Sequence, residues 1–201
     1  MYTTSFKSLC LIMLLSLLLL MAGCAGRSVY VPAGQTTQMG AEYSDTDMRT
    51  MAQSMYNSLQ TRLVNIRPPE SPTPVVALLR VDNKTTEHID TDMISDKLQV
   101  ELLRAGTLRF VDRKRIKDMA AEFDLGGSGF IDPEKAKSAG KALGADYFLY
   151  GELGSIKKSE GRTKLMYYRL SMKLTDVETD EVVWAEDYEV KKMYEKPVIE
   201  W

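Results

Sequence analysis

The clearest chemistry in this sequence sits at Cys24. It follows Leu20, Met21, Ala22 and Gly23 and is followed by Ala25 and Gly26. Small residues at Ala22 and Gly23 let the backbone lie extended in a peptidase cleft. The Cys24 thiol is a soft nucleophile that can be alkylated to a diacylglyceryl thioether. Cleavage between Gly23 and Cys24 then frees an amine that a third acyl chain can cap. Several buried chains, at about 0.8 kcal/mol per methylene, anchor a protein stably to a bilayer. The pattern is a lipobox, with Met21 at the usual leucine position. The plainer alternative is an ordinary leader or short anchor in which Cys24 is incidental.

The residues before Cys24 fit an export leader. Lys7 and the amino terminus supply positive charge, and Leu9 to Met21 is almost wholly apolar. That run is short of the roughly 20 residues a bilayer span needs and suits a secretory apolar region. Ala25 occupies the position where inner-membrane lipoproteins often carry Asp, so the expectation is anchorage in the outer membrane, with the domain facing the periplasm.

Other arrangements carry less. Gly126, Gly127, Ser128 and Gly129 form a glycine-rich run, but a phosphate loop follows a strand and ends in Gly-Lys-Ser/Thr. These glycines follow a helical pattern and read as a connector. His88 lies beside Glu87 and Asp90 with no nucleophile elbow anywhere, and it reads as a solvated loop residue. Asp112 to Arg115 reads as a capped, solvated first helical turn. Glu186, Asp187 and Glu189 read as charges protecting a sheet edge from aggregation. One histidine and two cysteines, one of them inside the leader, cannot assemble a His/Cys zinc cluster. No catalytic, metal-binding or cofactor-binding residue is expected, and no small-molecule substrate.

Composition agrees with a folded body. The chain has 201 residues, 44% hydrophobic and 27% charged, with a formal net charge of -2. A domain of about 160 residues buries roughly two-thirds of its unfolded surface, enough for one core. The two signs of charge are interspersed, which gives little drive toward nucleic acid and no polybasic anchor for anionic lipid.

The expected organisation is a leader over 1–23, lipidated Cys24 and a flexible tether over 24–43, a globular domain over 44–195 and an exposed tail over 196–201. The central stretch of the tether, Arg27–Gly40, about 15 residues, spans on the order of 20–25 Å as a relaxed coil and about 50 Å fully extended. A helix is expected from Asp47 to Leu63, capped by Ser44, Asp45 or Thr46, with Met48, Met51, Met55 and Leu59 as a core-facing stripe. The apolar run Val75–Val81 predicts a strand buried on both faces, with residues 82–86 as the loop beyond it. A helix follows from Thr91 or Asp92 to Ala105, ended by Gly106. Next come a short strand over Leu108–Val111, a helix over Arg113–Phe123, and a helix started by Asp132 and Pro133. The small face of that last helix, Ala136, Ala139, Gly140 and Leu143, lets it pack close to a sheet. Tyr147–Leu153 predicts a third strand, and Leu165–Leu174 with Val182–Val190 a hairpin. Early strands joined through helices should be parallel and the last three antiparallel. The fold class is therefore α/β (α+β): a mixed sheet of about four to five strands flanked by helices.

Several segments together resemble a known family. They are V-A-L-L-R-V-D-N-K-T over Val76–Thr85, R-F-V-D-R over Arg109–Arg113, A-G-K-A-L-G-A-D-Y-F-L-Y-G over Ala139–Gly151, and L-T-D-V-E-T-D-E-V-V-W over Leu174–Trp184. With the lipobox they resemble the LpoB family of outer-membrane lipoproteins that activate penicillin-binding proteins. The resemblance implies a fold like the TolB N-terminal domain. It also implies a role, docking on a bifunctional class A penicillin-binding protein to stimulate peptidoglycan synthesis without doing chemistry. Well-known members carry a long Pro-rich linker; the tether here is short. The same motifs also resemble CsgG, a curli-secretion lipoprotein that forms a pore through two extra amphipathic segments, which have no counterpart in this sequence. As generic docking candidates, the loop at the carboxyl end of the first strand offers Asn83, Lys84 and Thr85.

Overall fold

The computed structural model describes residues 28–36, 40–66, 70–122 and 133–197. Two compact units divide the chain, residues 1–35 and 36–201. In the first, the described residues form an extended stretch with one turn, closed by the Gln35 amide donating to the Pro32 carbonyl at 2.9 Å. Among the described residues no helix is long and apolar enough to cross a membrane.

Among the described residues, the second unit holds four helices and five strands. Helix α1 spans Asp45–Ile66. Strand β1 is Val75–Lys84, helix α2 is Asp92–Ala105 and strand β2 is Arg109–Phe110. Helices α3, Arg113–Glu122, and α4, Pro133–Leu143, precede the long strands β3, Tyr147–Glu160, β4, Thr163–Asp176, and β5, Val182–Glu195. The sheet order is β2-β1-β3-β4-β5. The pairs β1–β2 and β1–β3 are parallel; β3–β4 and β4–β5 are antiparallel. The expected mixed sheet with flanking helices is what forms.

The core follows from the side-chain periodicities. On α1 the stripe Met51, Met55 and Leu59 is fully buried, with Ala52 and Leu63 beside it. It packs with Ile94, Leu98 and Leu102 of α2 over one sheet face, made by Val76, Leu78, Leu149, Leu153 and alternate residues Met166 to Leu174 of β4. A smaller cluster lies on the other face. There Ile116 of α3 and Leu143 of α4 meet Ala77, Val111, Ala145 and Val177. Gly140 lets α4 approach this closely: a Cβ there would lie 2.5 Å from Val177 Cγ1 and 2.9 Å from Phe148 Cζ.

Several boundaries differ from expectation for local reasons. Ser44 and Asp47 cap α1, which starts at Asp45, two residues before the expected Asp47. The Ser44 amide donates to Asp47 Oδ2 at 2.8 Å, while the Asp47 amide donates to Ser44 Oγ at 3.3 Å, a reciprocal capping box. Strand β1 continues through Asp82, Asn83 and Lys84, because these pair with Glu152, Leu153 and Gly154 of β3. Packing also begins before the tether boundary expected at 43, since Ala41 is fully buried. The third strand runs to Glu160 instead of Leu153 and turns into β4 at Gly161, whose φ of 54 favours glycine. The segments 123–132 and 198–201, with the glycine run and Asp132, lie outside the described residues.

Candidate functional site

The loop after β1 is built by Asn83 and Glu87. Asn83 Nδ2 donates to the carbonyls of Glu87 (2.9 Å) and Ile89 (3.1 Å), and its Oδ1 accepts from the amide (2.9 Å) and hydroxyl (2.7 Å) of Thr85. Every polar atom of that amide is thus occupied within its own loop. Glu87 fastens the loop to the body. Its Oε1 accepts from the Tyr168 hydroxyl at 2.7 Å, and its Oε2 from the Tyr43 amide at 3.2 Å. The rings of Tyr43 and Tyr168 meet edge to face, centroids 5.4 Å apart. Burial, and then the bond to Glu87, push the Tyr168 hydroxyl far above its ordinary pKa. His88 beside this clamp is exposed.

The sheet leaves part of one face uncovered among the described residues. Helices α3 and α4 pack over β1 and the start of β3 only. Beyond them the register sets side chains from four strands in rows. Asp82 lies beside Glu152, Ser171 and Asp187 in one row; Lys84 lies beside Gly154, Arg169 and Glu189 in the next. Lys84 is 61% exposed and pairs with Asp82 at 3.5 Å. Arg169 Nε lies 3.2 Å from Asp187 Oδ2. Gly154 adds no side chain, and nothing lies within 4 Å of where its Cβ would be. The result is a flat face with alternating charge.

The acidic cluster expected to protect the sheet edge is more engaged than that. Glu186 faces the core side and accepts from Ser58 Oγ at 2.6 Å. Asp187 meets Arg169, and the hydrogen bond to Glu189 raises the pKa of the Tyr167 hydroxyl.

Past the last β1 partner, β3, β4 and β5 continue as a three-stranded tip. A groove of about 720 Å³ opens at its end, lined by Gly40, Glu42, Lys157, Arg162, Lys164, Tyr194 and Lys196 among others. Lys164 pairs with Glu42, and that hydrogen bond holds the Glu42 carboxyl below its ordinary range. Gly40 and Glu42 therefore lie at this tip.

The family model for the peptidoglycan-synthase activator LpoB matches residues 47–190. The chain belongs to the LpoB family. Solved LpoB structures share the fold. The C-terminal domain from Salmonella enterica is 19% identical, covers 73% of this chain and 99% of its own, and superposes with a TM-score of 0.52. The corresponding domain from Escherichia coli gives 19%, 73%, 99% and 0.51. No curated protein matches this chain.

Among the described residues, no cluster of three His, Cys, Asp or Glu could hold a metal ion. Asn83, Lys84 and Thr85 stand together, but in different roles. Lys84 is presented on the open face, while Asn83 and Thr85 shape the loop. Gly23 and Cys24 lie outside the described residues. The sequence did not single out Arg169, whose place in the same row as Lys84, across Gly154, depends on strand register. The hint available was its polar place in the alternation of β4.

Proposed function

We propose that this chain is an outer-membrane lipoprotein, cleaved after Gly23 and acylated on Cys24, that binds and activates a bifunctional class A penicillin-binding protein and does no chemistry itself. The LpoB match over residues 47–190 carries this reading. It also favours this role over a CsgG-like secretion role. The open sheet face is the proposed contact, with Lys84 and Arg169 at its centre and Asn83 and Thr85 holding the adjoining loop in shape. Activation is a population shift. If the activator binds the active synthase conformation about tenfold more tightly than the inactive one, it raises their ratio about tenfold.

The test is glycan polymerisation and crosslinking by the cognate synthase, with and without the purified chain. Stimulation is expected, and the double variant Lys84→Glu/Arg169→Glu should weaken it. Unchanged rates together with no binding in a pull-down would remove the proposal. Stimulation that ignores the double variant would move the contact off this face.

A further inference from the structure

Charge that looks dispersed along the sequence is gathered by the fold. Residues 155–164 and 191–196 form the tip, and they hold seven lysines and arginines against two glutamates. Of these cations, Lys192 is buried against Asp47, Lys164 pairs with Glu42, and Arg162 lies 3.9 Å from Glu195. Lys157, Lys158 and Lys191 are exposed and make no ion pair among the described residues, Lys157 on the face shared with Met166 and the other two on the uncovered face. On the uncovered face the tip shows two rows, Ile156–Tyr167–Lys191 and Lys158–Leu165–Met193. Ile156 is 55% exposed and Met193 74%. Each row thus sets apolar side chains beside a lysine whose stem can lie along them while its ammonium stays in water.

We propose that this tip docks on an anionic bilayer surface, with Ile156 and Met193 entering the headgroup region and Lys158 and Lys191 meeting lipid phosphates. The combination of apolar side chains with flanking lysines is what interfacial binding uses. Where the chain joins the body adds a second argument. Gly40 and Glu42 line the groove at the tip, so the tether leaves from that end. The residues between Cys24 and Gly40 span at most about 55 Å, which keeps the tip near any membrane holding the acyl chains. This step rests on the acylation proposed above. The row at Lys84 and Arg169 is the next on this face, about 7 Å further along the strands.

The test is co-sedimentation with vesicles, using the mature chain from position 24 with Cys24→Ser so that no acyl chain contributes. Binding is expected to phosphatidylethanolamine vesicles containing phosphatidylglycerol, and not to vesicles lacking it. Raised salt should weaken it. Each lysine neutralised should lower partitioning about fivefold, so Lys158→Gln/Lys191→Gln should lose roughly 25-fold. Ile156→Ser/Met193→Ser should weaken binding independently. Lys173→Gln, nearer the other end of β4, should leave it unchanged. Failure to sediment, equal binding to uncharged vesicles, or indifference to the double lysine variant would overturn the proposal. So would sedimentation with peptidoglycan sacculi in place of vesicles. Synthase stimulation by the double lysine variant in detergent solution reads the earlier proposal separately, and it should persist.

Discussion

Lys192 Nζ lies 2.8 Å from Asp47 Oδ2, and both side chains are only 8% exposed. The pair joins the last strand to the first turn of the first helix. Lys192 also donates to the Glu42 carbonyl at 2.5 Å, and Asp47 also accepts from the Ser44 amide and hydroxyl, each at 2.8 Å. The ion pair is therefore surrounded by the hydrogen bonds that buried charges require.

Removing one partner should be costly. Lys192→Met leaves the Asp47 carboxylate buried without a counter-charge and should destabilise the fold by about 3–5 kcal/mol. The same change in an Asp47→Asn background should cost clearly less, because the amide keeps the cap without the charge. Urea unfolding of the four proteins in a double-mutant cycle measures the coupling. Equal costs in both backgrounds would mean the pair carries no energetic linkage.

Tyr168 should govern stability at alkaline pH. The hydroxyls of Tyr43 and Tyr168 are both raised above 10.0, chiefly by burial. The unfolded tyrosines lose their protons first. The corresponding stability is therefore fully present below about pH 10 and declines as pH rises above it. Tyr168→Phe should cost about 1–3 kcal/mol at neutral pH by unpairing Glu87, and should make the alkaline decline shallower. Urea midpoints across an alkaline pH series check both signs.

Gly140→Ala tests the contact of α4 with the sheet. The added methyl meets Val177 and Phe148 well inside van der Waals distance, so helix or side chains must shift, at about 1–3 kcal/mol. Thermal melting should show a lower midpoint. Gly34→Ala, where nothing lies within 4 Å, should show little change.

Cys24→Ser should abolish acylation and release the chain from the membrane fraction under high salt, where the electrostatic attraction of the tip is screened. Fractionation and intact mass report the outcome. An unmodified thiol with the leader still attached in the native protein would exclude the anchor.

Much of the fold was legible because burial imposes periodicity. The α1 stripe Met51, Met55 and Leu59, the run at Val75–Val81 and the alternation of β4 all state which side faces the core. The distal half of β3 was not legible. Lys157-Lys158-Ser159-Glu160 has no apolar alternation, and it is held extended by pairing with Thr163–Met166. Glu87 looked like one more loop charge; its role as a clamp depends on Tyr168, eighty-one positions away. The grouping of Lys84 with Arg169 depends on register across strands that are distant in sequence.

The first and last elements of this body are fastened to each other. Ser58 donates to Glu186, Trp184 Nε1 donates to Ser58, Arg62 donates to the Val183 carbonyl, and Lys192 meets Asp47. A chain that emerges amino-terminus first presents the methionine stripe of α1 long before its partner strand exists. The domain cannot close until residues near 195 are free, so the covering of that stripe begun by α2 is finished only when the last strand is made.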